Sequence, residues 1–219
     1  MKKVLEIRGY QVEFYPQLYL VIPNFKCLVL SDIHLGKSNH FRRNGVALTQ
    51  GIHTADLSNW NNTLNSHDVE MCIVTGDLFH SAVGDEVKDL YELVSSHSSV
   101  QFILTSGNHD PHLSDYPPNF NVSERYELGP FSFSHEPISN TEYYQFTGHL
   151  HPILKMNGKA RNRVSLKAFW VRTNQCILPA FGYTTYGKTI QPGPEDLLLG
   201  AAPDQIIALN HSDFTRIQR

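Results

Sequence analysis

The 219-residue chain is 41% hydrophobic and 18% charged, with a formal net charge of −3. That length and apolar content suit one large α/β domain, and the balance excludes both a disordered acidic tail and a globally basic nucleic-acid binder. Twelve histidines are many for this length and give the first compositional hint of chemistry.

The opening MKKVLEIRGYQVEF carries charges where a signal peptide needs its apolar run, and no apolar run approaches membrane-spanning length. Cys27, Cys72 and Cys176 lie far apart in apolar runs without a CxxC. They read as buried small hydrophobes in a reducing, cytoplasmic setting.

In chain order, Lys3 to Arg8 and Tyr10 to Phe14 predict a hairpin around Gly9. Phe25 to Asp32 is an apolar run ending in an acid. Ile52, Ala55, Leu57, Trp60 and Leu64 have roughly helical spacing. Val69 to Asp77 is a second strand ending in an acid. Val87, Leu90, Tyr91 and Val94 mark an amphipathic helix, and Val100 to Asp110 a third strand with polar residues at its end. The pattern is β–α–β–α–β, with polar residues where open α/β sheets bind ligands. Continuous apolar runs predict strands covered on both faces.

After Asp110 comes a Pro/Asn-rich loop, then short strand-like stretches: YELGPFSFSH, EYYQFTGHLH, ILKMN, VSLKAFWV and QCILPAFGY. A turn is expected at Asn157 and Gly158. This half predicts a mainly antiparallel sheet. No linker separates the halves, so residues 1–219 are expected to form one domain of two packed sheets with outer helices. The closing HSDFTRIQR carries no signal.

Five polar clusters follow the strand-like segments: Asp32-Ile-His34, Gly76-Asp77, Gly107-Asn108-His109-Asp110, His135, and Gly148-His149-Leu-His151. An isolated Asp-x-His is usually a surface pair, and Gly-Asp a common turn. Together they supply three carboxylates, an asparagine and five histidines at strand ends. That mixture suits two divalent metals: a carboxylate can bridge them, neutral donors fill the other positions, and the residual positive charge suits a phosphate. Strand alternation would point Asp32 with His34, and His149 with His151, so that each pair converges on one centre. Glycines beside the ligands permit close backbone approach. A mononuclear zinc hydrolase needs only three protein ligands. There is no Gly-x-Ser-x-Gly elbow and no phosphate-binding Gly-rich loop with Lys-Ser/Thr.

These clusters, in this order from Asp32 to His151, resemble the motifs of the calcineurin-like metallophosphoesterase superfamily. The stretches SDIHLGKSNHFRRNG, GDLFHS, SHEP, GHLHP and LPAFGYTTYG further resemble the small bacterial, ligase-associated PdeM group, departing from it at Tyr186-Gly187-Lys188. The resemblance implies a four-layer α/β/β/α sandwich with two mixed sheets flanked by helices. It implies a dimetal site with Asp32, His34 and His151 at one centre, Asn108, His135 and His149 at the other, and Asp77 between. The metals would be manganese or iron, with zinc and magnesium as further options.

On that basis His109 is the candidate acid for the leaving oxygen, and Asp110 the group that orients His109 or a neighbour. Lys37, Arg42 and Arg43 are candidate substrate-binding cations. Lys155, Lys159, Arg161 and Arg163 form a second basic stretch that could track a phosphate backbone or simply be solvated. Phe41, Trp60, Trp170 and Tyr183 could stack on bases, although aromatics at such spacing are usually core. His80 and His112 read as loop or packing residues; Glu136 and Pro137 read as shaping the His135 turn. The expected activity is a dimetal phosphodiesterase, with a DNA nuclease in repair as its sharpest form and DNA ligase or helicase as functional associates. The alternatives are a phosphomonoesterase or nucleotide hydrolase, or a nucleic-acid-binding or scaffold module with an inactive site.

Overall fold

The computed structural model describes residues 1–37, 52–80, 85–110, 116–157 and 163–217. Alternation along three short strands, β4 (Cys27–Leu30), β5 (Met71–Val74) and β6 (Gln101–Thr105), creates the two faces of the first sheet. Leu28, Leu30, Cys72, Val74, Phe102 and Leu104 face α1 (Ile52–Asn65) and α2 (Asp85–Ser96), meeting Trp60, Leu64, Leu90 and Val94. Cys27, Val29, Ile73 and Ile103 face the opposite way, toward Phe131, Phe133, Phe146 and Phe169 of the second sheet. Both faces are therefore buried, which is why these strands read as unbroken apolar runs. Each fully buried aliphatic side chain contributes about 1.5–3 kcal/mol.

The first sheet runs β1 (Lys3–Ile7), β2 (Tyr10–Tyr15), β3 (Tyr19–Ile22), β4, β5, β6, β7 (Phe120–Ser123). Pairing is antiparallel up to β4 and parallel beyond it. The expected hairpin turns at Arg8 (φ 53°) and Gly9 (φ 82°), the two positive values of a tight two-residue turn.

The second sheet contains β8 (Arg125–Leu128), β9 (Phe131–Ser134), β10 (Tyr144–Thr147), β11 (Pro152–Asn157), β12 (Arg163–Val171), β13 (Gln175–Ile177), β14 (Lys188–Thr189), β15 (Leu197–Ala201) and β16 (Ile206–Asn210). Its order is β14-β11-β12-β13-β10-β9-β8, with β15 on β12 and β16 on β15. The mainly antiparallel expectation needs amendment. β10 lies parallel to both β9 and β13, so the sheet is mixed. This matters for the site, because parallel neighbours deliver their C-terminal residues to the same edge. β4 and β5 bring Asp32 and Asp77 together; β9 and β10 bring His135 and His149.

On the outer face, Phe214 of α3 (His211–Ile217) packs with Leu154, Ala168, Ile190 and Leu198. The layers are helix, sheet, sheet, helix. Helix α3 and strands β3, β7 and β14 to β16 lacked a strong pattern in sequence, being short or half-exposed. Cys27, Cys72 and Cys176 are buried and free. Among the described residues, no helix is long and apolar enough to cross a membrane.

Candidate metal centre

Strands β4, β5 and β10 stop at Leu30, Val74 and Thr147, short of the polar residues expected at their ends. Asp32 (φ 52°), His34 (φ 52°), Asp77 (φ 49°), His149 (φ 67°) and His151 (φ 46°) all adopt left-handed backbone. Such dihedrals are uncommon outside glycine and cluster at functional sites. Strand alternation is therefore not what aims these side chains. Each ligand pair is instead two left-handed residues separated by one other. Backbone bonds still tie the segments together: Asp32 N donates to Gly76 O (3.1 Å), His34 N to Asp77 O (3.0 Å) and Leu35 N to Leu78 O (2.7 Å).

Two adjoining clusters result, Asp32–His34–His151 and Asp32–Asp77–His135, each with its donor atoms within 4.8 Å of one another. His151 Nε2 stands 2.8 Å from Asp32 Oδ1. Asp77 Oδ2 lies 3.7 Å from His34 Nε2 and 3.5 Å from His135 Nε2, between the two imidazoles. His149 Nδ1 is 3.1 Å from His135 Nε2. His149 and His151 thus turn to different clusters, rather than converging as a pair. Donors about 2.1 Å from one ion sit about 3–3.5 Å apart, the range these contacts approach.

The outer bonds set the tautomers. His135 Nδ1 faces Thr75 O at 3.2 Å and His151 Nδ1 faces Tyr186 O at 3.0 Å. Each carbonyl accepts a hydrogen bond from Nδ1–H, leaving the Nε2 lone pair turned inward. Asp77 Oδ1 accepts from His109 N (2.9 Å), which frees Oδ2. Asp32 accepts from the Ser31 hydroxyl and from His149 N. Among the described residues, the buried His34 finds no hydrogen-bond partner for either ring nitrogen. Buried polar atoms normally have partners, so an imidazole left this way fits a metal ligand.

Three glycines explain how the donors come so close. Each lies beneath a ligand from a different strand. A Cβ on Gly148 would collide with Asp32, one on Gly76 with His135, and one on Gly107 with Asp77.

Electrostatics favour neutral imidazole at His34, whose pKa burial drives down to about 2, assisted by the nearby Lys37 charge. Burial also pulls on His151, but the adjacent Asp32 carboxylate outweighs it and raises the net value. Burial lowers Lys37 as well, while Asp32 and Asp77 oppose the shift.

Asn108 and His109 lie on an exposed turn. Asn108 Nδ2 donates to Glu136 Oε1 (3.4 Å), which is 3.8 Å from His149 Nδ1. Asp110 does not hold the His109 ring. Its oxygens accept from Phe79 N (3.0 Å) and Gly107 N (2.8 Å), so it clamps the turn beside Asp77. Burial raises its pKa to about 6 against those two bonds. The ring beside His109 belongs to His80, stacked at 5.3 Å, and both rings approach His34. His80, three residues after Asp77, thus packs beside the candidate site.

Lys37 Nζ reaches Thr185 Oγ1 at 3.5 Å. Arg42, Arg43, Phe41, His112, Lys159 and Arg161 lie outside the described residues. Trp60 is core, Trp170 is half-buried with its indole N–H on Asp196, and Tyr183 is exposed.

A family model described as calcineurin-like phosphoesterase matches residues 25–216. Among solved structures, the crystal structure of Pseudomonas putida nuclease MPE is similar at 25% identity. It covers 95% of this chain and 100% of its own, with a TM-score of 0.77. A protein of unknown function, AQ665 from Aquifex aeolicus, shows 19% identity over 57% of this chain and 78% of its own, with a TM-score of 0.39. No curated protein matches.

Proposed function

Since the chain belongs to the calcineurin-like phosphoesterase family, we propose that it hydrolyses phosphodiesters at a two-metal centre and acts on DNA, as a member of the ligase-associated PdeM group. One observation carries the hydrolytic reading: Asp32, His34 and His151 adjoin Asp77 and His135 in two clusters that share a carboxylate. Similarity to a bacterial nuclease supports the choice of nucleic acid.

Asp32, His34 and His151 would hold one ion, Asn108, His135 and His149 the other, and Asp77 would serve both. Such ions, manganese being our choice, supply charge neutralisation at phosphorus and activation of the attacking water. The chain's own groups do the rest. Asp110 fixes the 107–110 turn against Phe79, which holds the His109 amide on Asp77 and the exposed His109 ring 5.4 Å from that of His34. His109 protonates the leaving oxygen. Lys37 pairs with a phosphate oxygen, with Arg42 and Arg43 extending the cationic track.

The test is hydrolysis of bis(p-nitrophenyl) phosphate by metal-free protein before and after adding manganese. Turnover that appears with metal and exceeds that on the monoester supports the reading. Monoester preference points to a phosphomonoesterase, and failure to take up metal to a binding module. His109→Ala should lose more activity on alkyl than on nitrophenyl leaving groups; equal losses would remove the acid role.

A further inference from the structure

Segment 178–187, after β13, is pinned along its length. Phe181 N donates to Ser31 O (2.8 Å) and Gly182 N to Asp32 O (3.3 Å). Lys167 Nζ donates to Ala180 O (2.8 Å) and Gly182 O (2.7 Å). Tyr183 N donates to Asp56 Oδ1 (2.9 Å). Tyr186 O accepts from His151, and Gly187 packs against the His151 carbonyl so closely that a Cβ would collide.

A segment fastened this way would be expected to bury its rings. Instead Tyr183 is 65% and Tyr186 88% exposed, the only aromatics among the exposed large hydrophobic side chains of the described residues. Single exposed apolar residues need no explanation. Two tyrosines within four positions, on a segment bonded to Asp32 and His151, do. Lys188 follows, exposed, with its amide on His151 O, and Lys37 reaches Thr185. Exposed rings interleaved with cations are the chemistry of nucleic-acid strand binding: bases stack on rings, and ammonium groups track phosphates. A pinned loop keeps the ordering cost of that contact low.

We propose that Tyr183 and Tyr186 form a nucleobase-stacking subsite for a nucleotide flanking the scissile phosphate, with Lys188 on an adjoining phosphate. This rests on the phosphodiesterase reading and adds a substrate contact to it. Tyr186 belongs to the stretch where the chain departs from the PdeM pattern, so the subsite would set a preference of this protein's own.

The test measures affinity of the metal-loaded protein for two labelled, phosphorothioate-protected strands of equal length, one an oligothymidylate and one abasic. Both carry the same backbone charge. The wild type should favour oligothymidylate. Tyr183→Ala and Tyr186→Ala should each weaken that binding roughly 5- to 150-fold, the loss expected for one base stack. Affinity for the abasic strand should hold within about twofold, and Tyr→Phe should retain binding. Metal content of the variants, two ions per chain, checks the centre independently. Equal wild-type affinity for both strands, an unchanged Tyr→Ala pair, or equal losses on both strands would overturn the subsite. Wild-type turnover of bis(p-nitrophenyl) phosphate separates the two claims. Turnover without base preference sinks the subsite alone. No diester turnover with any metal sinks the hydrolytic reading.

Discussion

Gly148→Ala places one methyl group against Asp32, a candidate metal ligand. The added carbon would collide with the Ser31 hydroxyl and Asp32 Oδ2 and sit 2.7 Å from Thr75 O. Nothing nearby can yield easily. Asp32 is fully buried and held by the Ser31 hydroxyl and the His149 amide, while Gly148 N is bonded to His135 O at 3.1 Å. Overpacking of this kind costs about 1–3 kcal/mol. For a chain of this size the unfolding midpoint of the metal-free protein should fall by roughly 2–12 °C. Relieving the clash moves the Asp32 carboxylate on the order of 1 Å, well beyond the tolerance of about 0.2 Å for a ligating atom. Metal analysis after equilibration with manganese should show loss of the ion at the Asp32–His34–His151 cluster. Gly9→Ala is the control. Its Cβ would meet nothing within 4 Å, so it carries only the strain of φ 82°, about 1–2 kcal/mol, and should keep both ions. A Gly148→Ala protein that bound two ions at wild-type affinity and melted within about 1 °C of wild type would refute the packing argument.

Asp77→Asn keeps the acceptor for the His109 amide but removes the charge between His34 and His135. Metal stoichiometry should fall below two while the metal-free protein melts near wild type; retention of both ions would deny Asp77 its bridging place. Lys167 has a pKa pushed down to about 8, chiefly by burial, from the ordinary lysine value of 10.5. Between those values the unfolded chain holds the extra proton, so this group makes stability rise with pH there. The wild-type minus Lys167→Met difference in urea unfolding should therefore grow from pH 8 upward, and a flat difference would show an unshifted lysine. Trp60, fully buried against Phe102, should cost about 3–5 kcal/mol on replacement by alanine without changing nucleic-acid affinity; weaker DNA binding at equal metal content would return it to the stacking candidates.

Much of the site was legible in the chain because its donors follow apolar runs, and apolar runs bounded by polar residues are a local pattern. Asp32, Asp77 and His135 could be recognised as a set from donor chemistry and order alone. The α/β/β/α layering followed from the same runs together with the family resemblance. Other features depended on contacts that no local pattern encodes. The left-handed backbone at Asp32, His34, His149 and His151 replaced the strand alternation that spacing suggested. Asp110 took two backbone amides instead of the His109 ring, because the 107–110 turn folds onto Phe79.

The parallel placement of β9 and β10 decided that His135 and His149 would share an edge, where the short strands had suggested a mainly antiparallel sheet. Tyr186 looked like a departure from a motif until the fold set it beside His151, pinned and exposed. The residues themselves determined which donors exist, which strands are buried on both faces and where each run ends, since periodicity and side-chain chemistry act over a few positions. Tertiary structure alone decided which glycine lies beneath which ligand, as Gly148 does beneath Asp32 from the other sheet. Those partners lie far apart along the chain and meet only when the two sheets pack.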